Sequence, residues 1–182
     1  MTITVRVAMA DDADQIAELA IRAWEAAFRG IVPPEIDPRR GWDADRVRAR
    51  LLERGRETEH AVAELDGELR GYIVYGPSRD EDAPPSVGEI WALYVHPATW
   101  RRGVGRALVE HALTELRAAG YLDATLWTLA ESPPARAFYE ACGFERDGAE
   151  QRRPSFGNPL EIRYRRRPRG ARKDPPKLRR FR

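Results

Sequence analysis

Leu93-Tyr94-Val95-His96-Pro97-Ala98-Thr99-Trp100-Arg101-Arg102-Gly103-Val104-Gly105-Arg106-Ala107-Leu108 joins an apolar strand, a proline-marked break, two arginines and two closely spaced glycines to the start of an amphipathic helix. The first turn of a helix leaves backbone N–H groups without intrahelical acceptors, and the helix dipole concentrates partial positive charge at the same point. With fixed cationic charge beside it, such a turn binds phosphate. Glycine at 103 and 105 removes side chains that would hold a diphosphate away from the amides. Leu108, Val109, Ala112, Leu113 and Leu116 share one face of the helix that follows, which is expected to end near Gly120.

Working outward, Glu89 to Val95 is apolar enough for a central strand, and residues 60–66 and 69–76 read as a hairpin around Asp66-Gly67. Residues 78–86 are charged and proline-rich, as in a surface loop. Further upstream lie a first strand at 2–8 and a helix capped by Asp11, with Ile16, Leu19, Ala20, Ala23, Trp24 and Ala27 on its apolar face. Gly30, Pro33-Pro34 and Pro38 stop that helix, and a more polar one over about 43–54 relies on Trp42, Val47, Leu51 and Leu52. Downstream come a strand at 122–128, a helix from Ser132-Pro133 to Gly143, and strands near 144–150 and 159–166. Crossovers require parallel pairing and hairpins antiparallel pairing, so the expected class is α/β (α+β): a mixed sheet with helices on both faces. Residues 1–167 read as one domain, and 168–182 as a basic, disordered tail too polar and proline-rich to join a core.

The chain has 182 residues, 42% hydrophobic and 33% charged, and no apolar run approaches the roughly 18 residues that a membrane span needs. The N-terminus alternates like a strand rather than a signal peptide, and one cysteine allows no internal disulfide, so a cytoplasmic setting is expected. Net charge is +2, yet residues 152–182 carry 13 Lys/Arg against Glu161 and Asp174, which leaves 18 basic and 27 acidic residues elsewhere. An acidic body can attract a cationic amine and a basic tail a polyanion, although solvated surfaces account for the same counts. His60, His96 and His111 lack metal-ligand spacing, so no metal is expected. No Gly-x-Ser-x-Gly elbow is present, and Cys142 lies on an apolar face as a packing residue.

A dinucleotide fingerprint would need glycine where Leu108 stands, and a Walker loop would need a Gly-Lys-Ser/Thr ending that is absent. The run Arg102-Gly103-Val104-Gly105-Arg106-Ala107 after Glu89-Ile90-Trp91-Ala92-Leu93-Tyr94-Val95-His96-Pro97, with Phe138-Tyr139-Glu140-Ala141-Cys142-Gly143-Phe144 following, instead resembles the GNAT family of N-acetyltransferases. The resemblance covers roughly residues 3–166 and is strongest from 88 to 145. It implies the acyl-CoA N-acyltransferase fold, with a mainly antiparallel sheet and a splayed parallel pair. It also implies acetyl-CoA as cosubstrate and an amine acceptor, either a small molecule or a protein.

By that resemblance, the backbone of Leu93, Tyr94 and Val95 would hold the pantetheine arm like an added strand. Arg101, Arg102, Gly103, Val104, Gly105, Arg106 and Ala107 would wrap the pyrophosphate. Tyr139 would protonate the departing thiolate, and Glu89 would take the amine proton through water. Ser132 stands where many relatives place an asparagine against the CoA arm, and Trp127 where some place a basic glutamate. Trp24, Trp42 and Trp91 could line an acceptor pocket or simply pack the core. Two further readings stay open: a homodimer through the C-terminal strands, and a non-catalytic CoA-binding module whose basic tail makes salt-sensitive contact with nucleic acid.

Overall fold

The computed structural model describes residues 1–37, 39, 41–53 and 58–167. The expected tail at 168–182 lies outside the described residues. Seven strands form one sheet: β1 (Ile3–Val7), β2 (Glu59–Leu65), β3 (Glu68–Pro77), β4 (Val87–Val95), β5 (Asp123–Leu129), β6 (Glu145–Arg152) and β7 (Leu160–Arg166). Four helices cover it: α1 (Ala13–Phe28), α2 (Ala44–Leu52), α3 (Val104–Ala118) and α4 (Pro133–Ala141). The order across the sheet is β1-β2-β3-β4-β5-β7-β6, and every neighbouring pair is antiparallel except β4 and β5.

Alternation along the strands builds two cores. Ala61, Ala63, Ile73 and Tyr75 face α3 together with Ile90, Leu126 and Tyr164, whereas Val62, Tyr72 and Val74 face α1 and α2. The β2–β3 hairpin turns through Asp66 and Gly67, both at positive φ (53° and 85°), which suits the Asp-Gly pair. Two local expectations change. The acid at the head of α1 is Asp12 rather than Asp11: its carboxylate accepts the Met9 N–H at 2.7 Å and is gripped by Arg6. Leu52 lies 72% exposed, and Ala27 is exposed too, so α2 and α1 bury narrower stripes than their apolar residues allow.

The sheet opens at its centre. β4 and β5 pair only from Val87–Asp123 to Ile90–Leu126, and beyond that β5 follows β7 while Trp91 to Val95 keep only β3 as a neighbour. On the β3 side the register slips between Val74, opposite Ala92, and Tyr75, opposite Ile90, so Trp91 is an extra residue in a β-bulge. Trp91 and Ala92 therefore both turn toward the α1/α2 face, while Leu93 and Val95 pack on the α3 side.

Candidate active site

The phosphate-type turn is assembled by hydrogen bonds at the end of β4. Pro97–Thr99 forms a 3-10 turn capped by His96, whose Nδ1 accepts the Ala98 N–H at 3.2 Å, and the Thr99 hydroxyl donates to His96 O at 2.9 Å. Trp100 Nε1 donates to Val95 O at 2.8 Å and ties the turn back to the strand. Arg101 (φ 61°) and Gly103 (φ 89°) then take left-handed backbone, a pattern that turns successive amides toward one concavity. Arg101 pays for that conformation as a non-glycine residue, a kind of strain that clusters at ligand sites.

In α3, the Ala107 N–H reaches Gly103 O at 3.0 Å, so the amides just ahead of it lack helical acceptors. Arg101, Arg102, Gly103 and Arg106 are exposed around them, while the Val104 side chain is fully buried and offers only its backbone. A Cβ on Gly105 would stand 3.1 Å from the Phe138 ring, so this glycine lets the head of α3 approach α4. Arg106 Nη2 donates to Ala141 O at 3.0 Å and braces the same contact.

The strand edge beside the split supplies a second open surface. His96 N–H donates to Arg70 O at 2.9 Å, so by the alternation of an antiparallel ladder the backbone groups of Leu93 and Val95 point away from β3, into the split. Tyr94 alternates the other way: its amide and carbonyl belong to the β3 ladder, and it brings only its side chain. Val95 O already accepts from Trp100, which leaves the Val95 N–H and both backbone groups of Leu93.

Across the split, Ser132 is buried at the head of α4, and its hydroxyl makes no capping hydrogen bond. Tyr139 lies seven residues on, on the same helical face, among Phe138 and Phe144. Burial pushes its phenol well above the usual range, with Cys142 and Tyr94 adding to the effect, so it remains protonated. Burial likewise pushes the Tyr94 phenol up to about 12.

Glu89 is 1% exposed and faces Arg79 from the loop after β3. Its Oε2 accepts the Arg79 N–H at 2.8 Å, and its Oε1 accepts from Arg79 Nε at 3.2 Å and from Nη2. The same guanidinium lies over the Trp91 ring at 4.2 Å. Trp127 Nε1 donates to Asp80 Oδ1 at 2.9 Å, and Arg163 holds Asp80, Asp82 and Asp147 at 2.7–2.9 Å. Arg79, Asp80 and Arg163 were invisible as site-building residues in the sequence, because Arg79 acts through a loop-to-strand pair without periodic spacing and the other two through partners 47 and 83 residues away. Trp24 packs edge-on against Phe28 and Phe156, whereas Trp42 and Trp91 line a groove. Among the described residues, no His, Cys, Asp and Glu cluster has the makings of a metal site, and no helix is long and apolar enough to cross a membrane.

An exposed-amide turn at a helix head, beside a parted strand pair, is the geometry at which comparison with known proteins becomes decisive. The Acetyltransferase (GNAT) family profile matches residues 14–144. The chain belongs to this family. A relative named mycothiol acetyltransferase, from Mycolicibacterium vanbaalenii, is 40% identical over 94 residues, which is 51% of this chain and 28% of that protein. Against several such relatives, then, the chain spans well under two thirds of their length. YuaI of Bacillus subtilis, an uncharacterized N-acetyltransferase, is 27% identical over 79% of this chain and 81% of its own length. Among solved structures, the paiA N-acetyltransferase of Thermoplasma acidophilum, in complex with coenzyme A, superposes with a TM-score of 0.76 at 18% identity, covering 92% of this chain and all of that one. The yncA protein of Salmonella typhimurium, with acetyl-CoA, gives a TM-score of 0.74 at 21% identity over 98% of this chain and 100% of its own. These likenesses establish the GNAT fold.

Proposed function

We propose that this chain transfers an acetyl group from acetyl-CoA to a primary amine by direct attack within a ternary complex. One observation carries the reading: among the described residues, the amides ahead of Ala107 and, on the β4 edge, the Val95 N–H and the backbone groups of Leu93 have no backbone partner and border the same opening in the sheet. A diphosphate suits the first, flanked by Arg101, Arg102 and Arg106, and an extended amide-bearing arm suits the second as an added strand.

The reaction follows from those positions. A lysine-like amine is neutral in only about one molecule in a thousand near pH 7.4, so proton removal precedes attack. The amine nitrogen bonds to the thioester carbon, and the carbonyl electrons move onto oxygen. An N–H of Leu93 or Val95 aimed at that oxygen stabilises the oxyanion. Collapse breaks the carbon–sulfur bond, and Tyr139 gives its proton to the thiolate and regains one from water. The surplus amine proton leaves by a water on Glu89: Arg79 fills three of the roughly four lone-pair sites of that carboxylate and leaves about one open. Holding both reactants in place supplies much of the rate, with proton transfer adding about 10²–10⁴-fold.

The test is calorimetric titration with acetyl-CoA, followed by thiol release from acetyl-CoA across a panel of amines. Binding together with amine-dependent thiol release is expected. Failure to bind acetyl-CoA at millimolar concentration would overturn the reading.

A further inference from the structure

We propose that the groove on the α1/α2 face, beside the β4 bulge, is an acceptor subsite that selects monoamines whose body is an aromatic ring. The assignment rests on the acetyl-transfer reading above and narrows its acceptor. The groove encloses about 550 Å³, within the range of small-molecule sites. Its walls are Trp42, Trp91, Val74 and Ala92.

The bulge connects this groove to the reaction. Without the extra residue, Trp91 and Ala92 would face opposite sides of the sheet. With it, both line the groove, and the next residue is Leu93, whose N–H faces the split. A molecule lying against Ala92 is thus one residue along the chain from the amide proposed to hold the thioester oxygen.

The interior chemistry selects the ring. The polar atoms at its floor are already engaged: His60 Nδ1 pairs with the Tyr72 hydroxyl at 2.6 Å, His60 Nε2 with the Thr58 hydroxyl at 3.1 Å, and Trp91 Nε1 donates to Pro77 O at 3.0 Å. Away from the charged rim of Arg50, Glu53 and Arg79, the groove therefore offers aromatic and aliphatic surface more than waiting donors and acceptors. A polyhydroxylated ring would exchange hydrogen bonds to water for few in return. A polycation fares no better, because Arg50 lies over the Trp42 ring at 5.4 Å and Arg79 over the Trp91 ring at 4.2 Å. Those guanidiniums place positive charge at the ring faces that a second ammonium group would seek, so an apolar ring would meet the ring edges and the Val74 and Ala92 side chains instead. Among the described charged residues at the rim, Glu53 alone is acidic. A flat apolar ring with a single amine satisfies all of these conditions.

The experiment compares tryptamine and L-phenylalanine amide with spermidine and glucosamine in steady-state thiol release. It uses the full chain and two variants, Val74→Phe, which fills the groove, and Trp42→Leu, which removes one wall. The aromatic monoamines should exceed the others in kcat/KM by about tenfold or more. Each variant should raise KM for tryptamine by about tenfold while KM for acetyl-CoA stays within about twofold. Preference for spermidine or glucosamine, or a tryptamine KM that both folded variants leave unmoved, overturns the proposal. Saturation-transfer NMR of tryptamine with the CoA-loaded protein separates the two levels of argument. Tryptamine that binds wild type but not the variants, without turnover, keeps the groove and sinks acetyl transfer. Turnover of other amines without tryptamine binding does the reverse.

Discussion

Tyr139 is partly buried and Glu89 almost wholly so, and their surroundings set opposite expectations. The Tyr139 phenol, raised by burial, is protonated across the working range, so its ionisation produces no descending limb in a kcat–pH profile up to about pH 10. Tyr139→Phe should lower kcat by about 10²-fold with acetyl-CoA affinity nearly unchanged, and an unaltered kcat removes the residue as the acid. Glu89 and Arg79 differ in exposure, 1% against 45% of the side chain, so removing one is not equivalent to removing the other. Arg79→Ala leaves a buried carboxylate without its partner and should cost about 3 kcal/mol in urea unfolding, whereas Glu89→Gln frees a guanidinium that can reach water and should cost less. Equal losses would mean that Glu89 is better solvated than its burial indicates. If Glu89 relays the amine proton, Glu89→Gln also shifts the pH optimum upward. The glycines at 103 and 105 were legible in the sequence because local spacing alone dictates their use. The grip of Arg79 on Glu89 was not, because a pair ten residues apart in a loop and a strand leaves no periodic trace.

Among the elements, the head of α3 puts backbone strain in the same turn as the proposed diphosphate site. Arg101 holds φ 61° where glycine would rest without penalty. Arg101→Gly should therefore stabilise the fold by about 1 kcal/mol in thermal unfolding while weakening acetyl-CoA binding through the lost charge. A variant that loses stability would show that Arg101 is held by contacts outweighing its backbone strain. Element boundaries followed from apolar periodicity and turn residues: the Asp66-Gly67 hairpin, the Gly103 start and the Pro133 start stand within a residue or two of expectation. The β4 bulge was beyond such reading. It exists only in the register between Val74 and Ala92, a relation between strands that no single segment of Glu89–Val95 encodes. Because the bulge faces Trp91 and Ala92 together into the groove, the proposed acceptor side stayed open in the sequence, while the motif of the proposed nucleotide side did not.

Across the whole molecule, ion pairs fasten the β3–β4 loop to the far half of the sheet. Arg163, 6% exposed, holds Asp80 and Asp82 from the loop and Asp147 from β6. The guanidinium of Arg163 keeps the Asp82 carboxyl below its ordinary range, and Arg6 does the same for Asp12. With folded-state values lower than unfolded ones, the folded chain binds fewer protons, so this stability is present above about pH 4 and drains as pH falls below it. The thermal midpoint should drop on acidification through that window, and Arg163→Met should blunt the drop. A midpoint equally acid-sensitive in both proteins would remove Arg163 from the explanation. The sequence showed charge asymmetry between body and tail but not this clasp, since its partners lie 16 to 83 residues apart. The parted strands carry a consequence for mechanics. Among the described residues only four pairs stitch β4 to β5, so the thinnest seam of the sheet runs beside the proposed acetyl-transfer site. A cosubstrate seated there rivets both halves, and amide hydrogen exchange in β5 and β7 should slow when CoA is added. Under the proposed reaction, turnover would be a cycle of bracing and slackening, in which each departing product briefly unfastens the protein that made it.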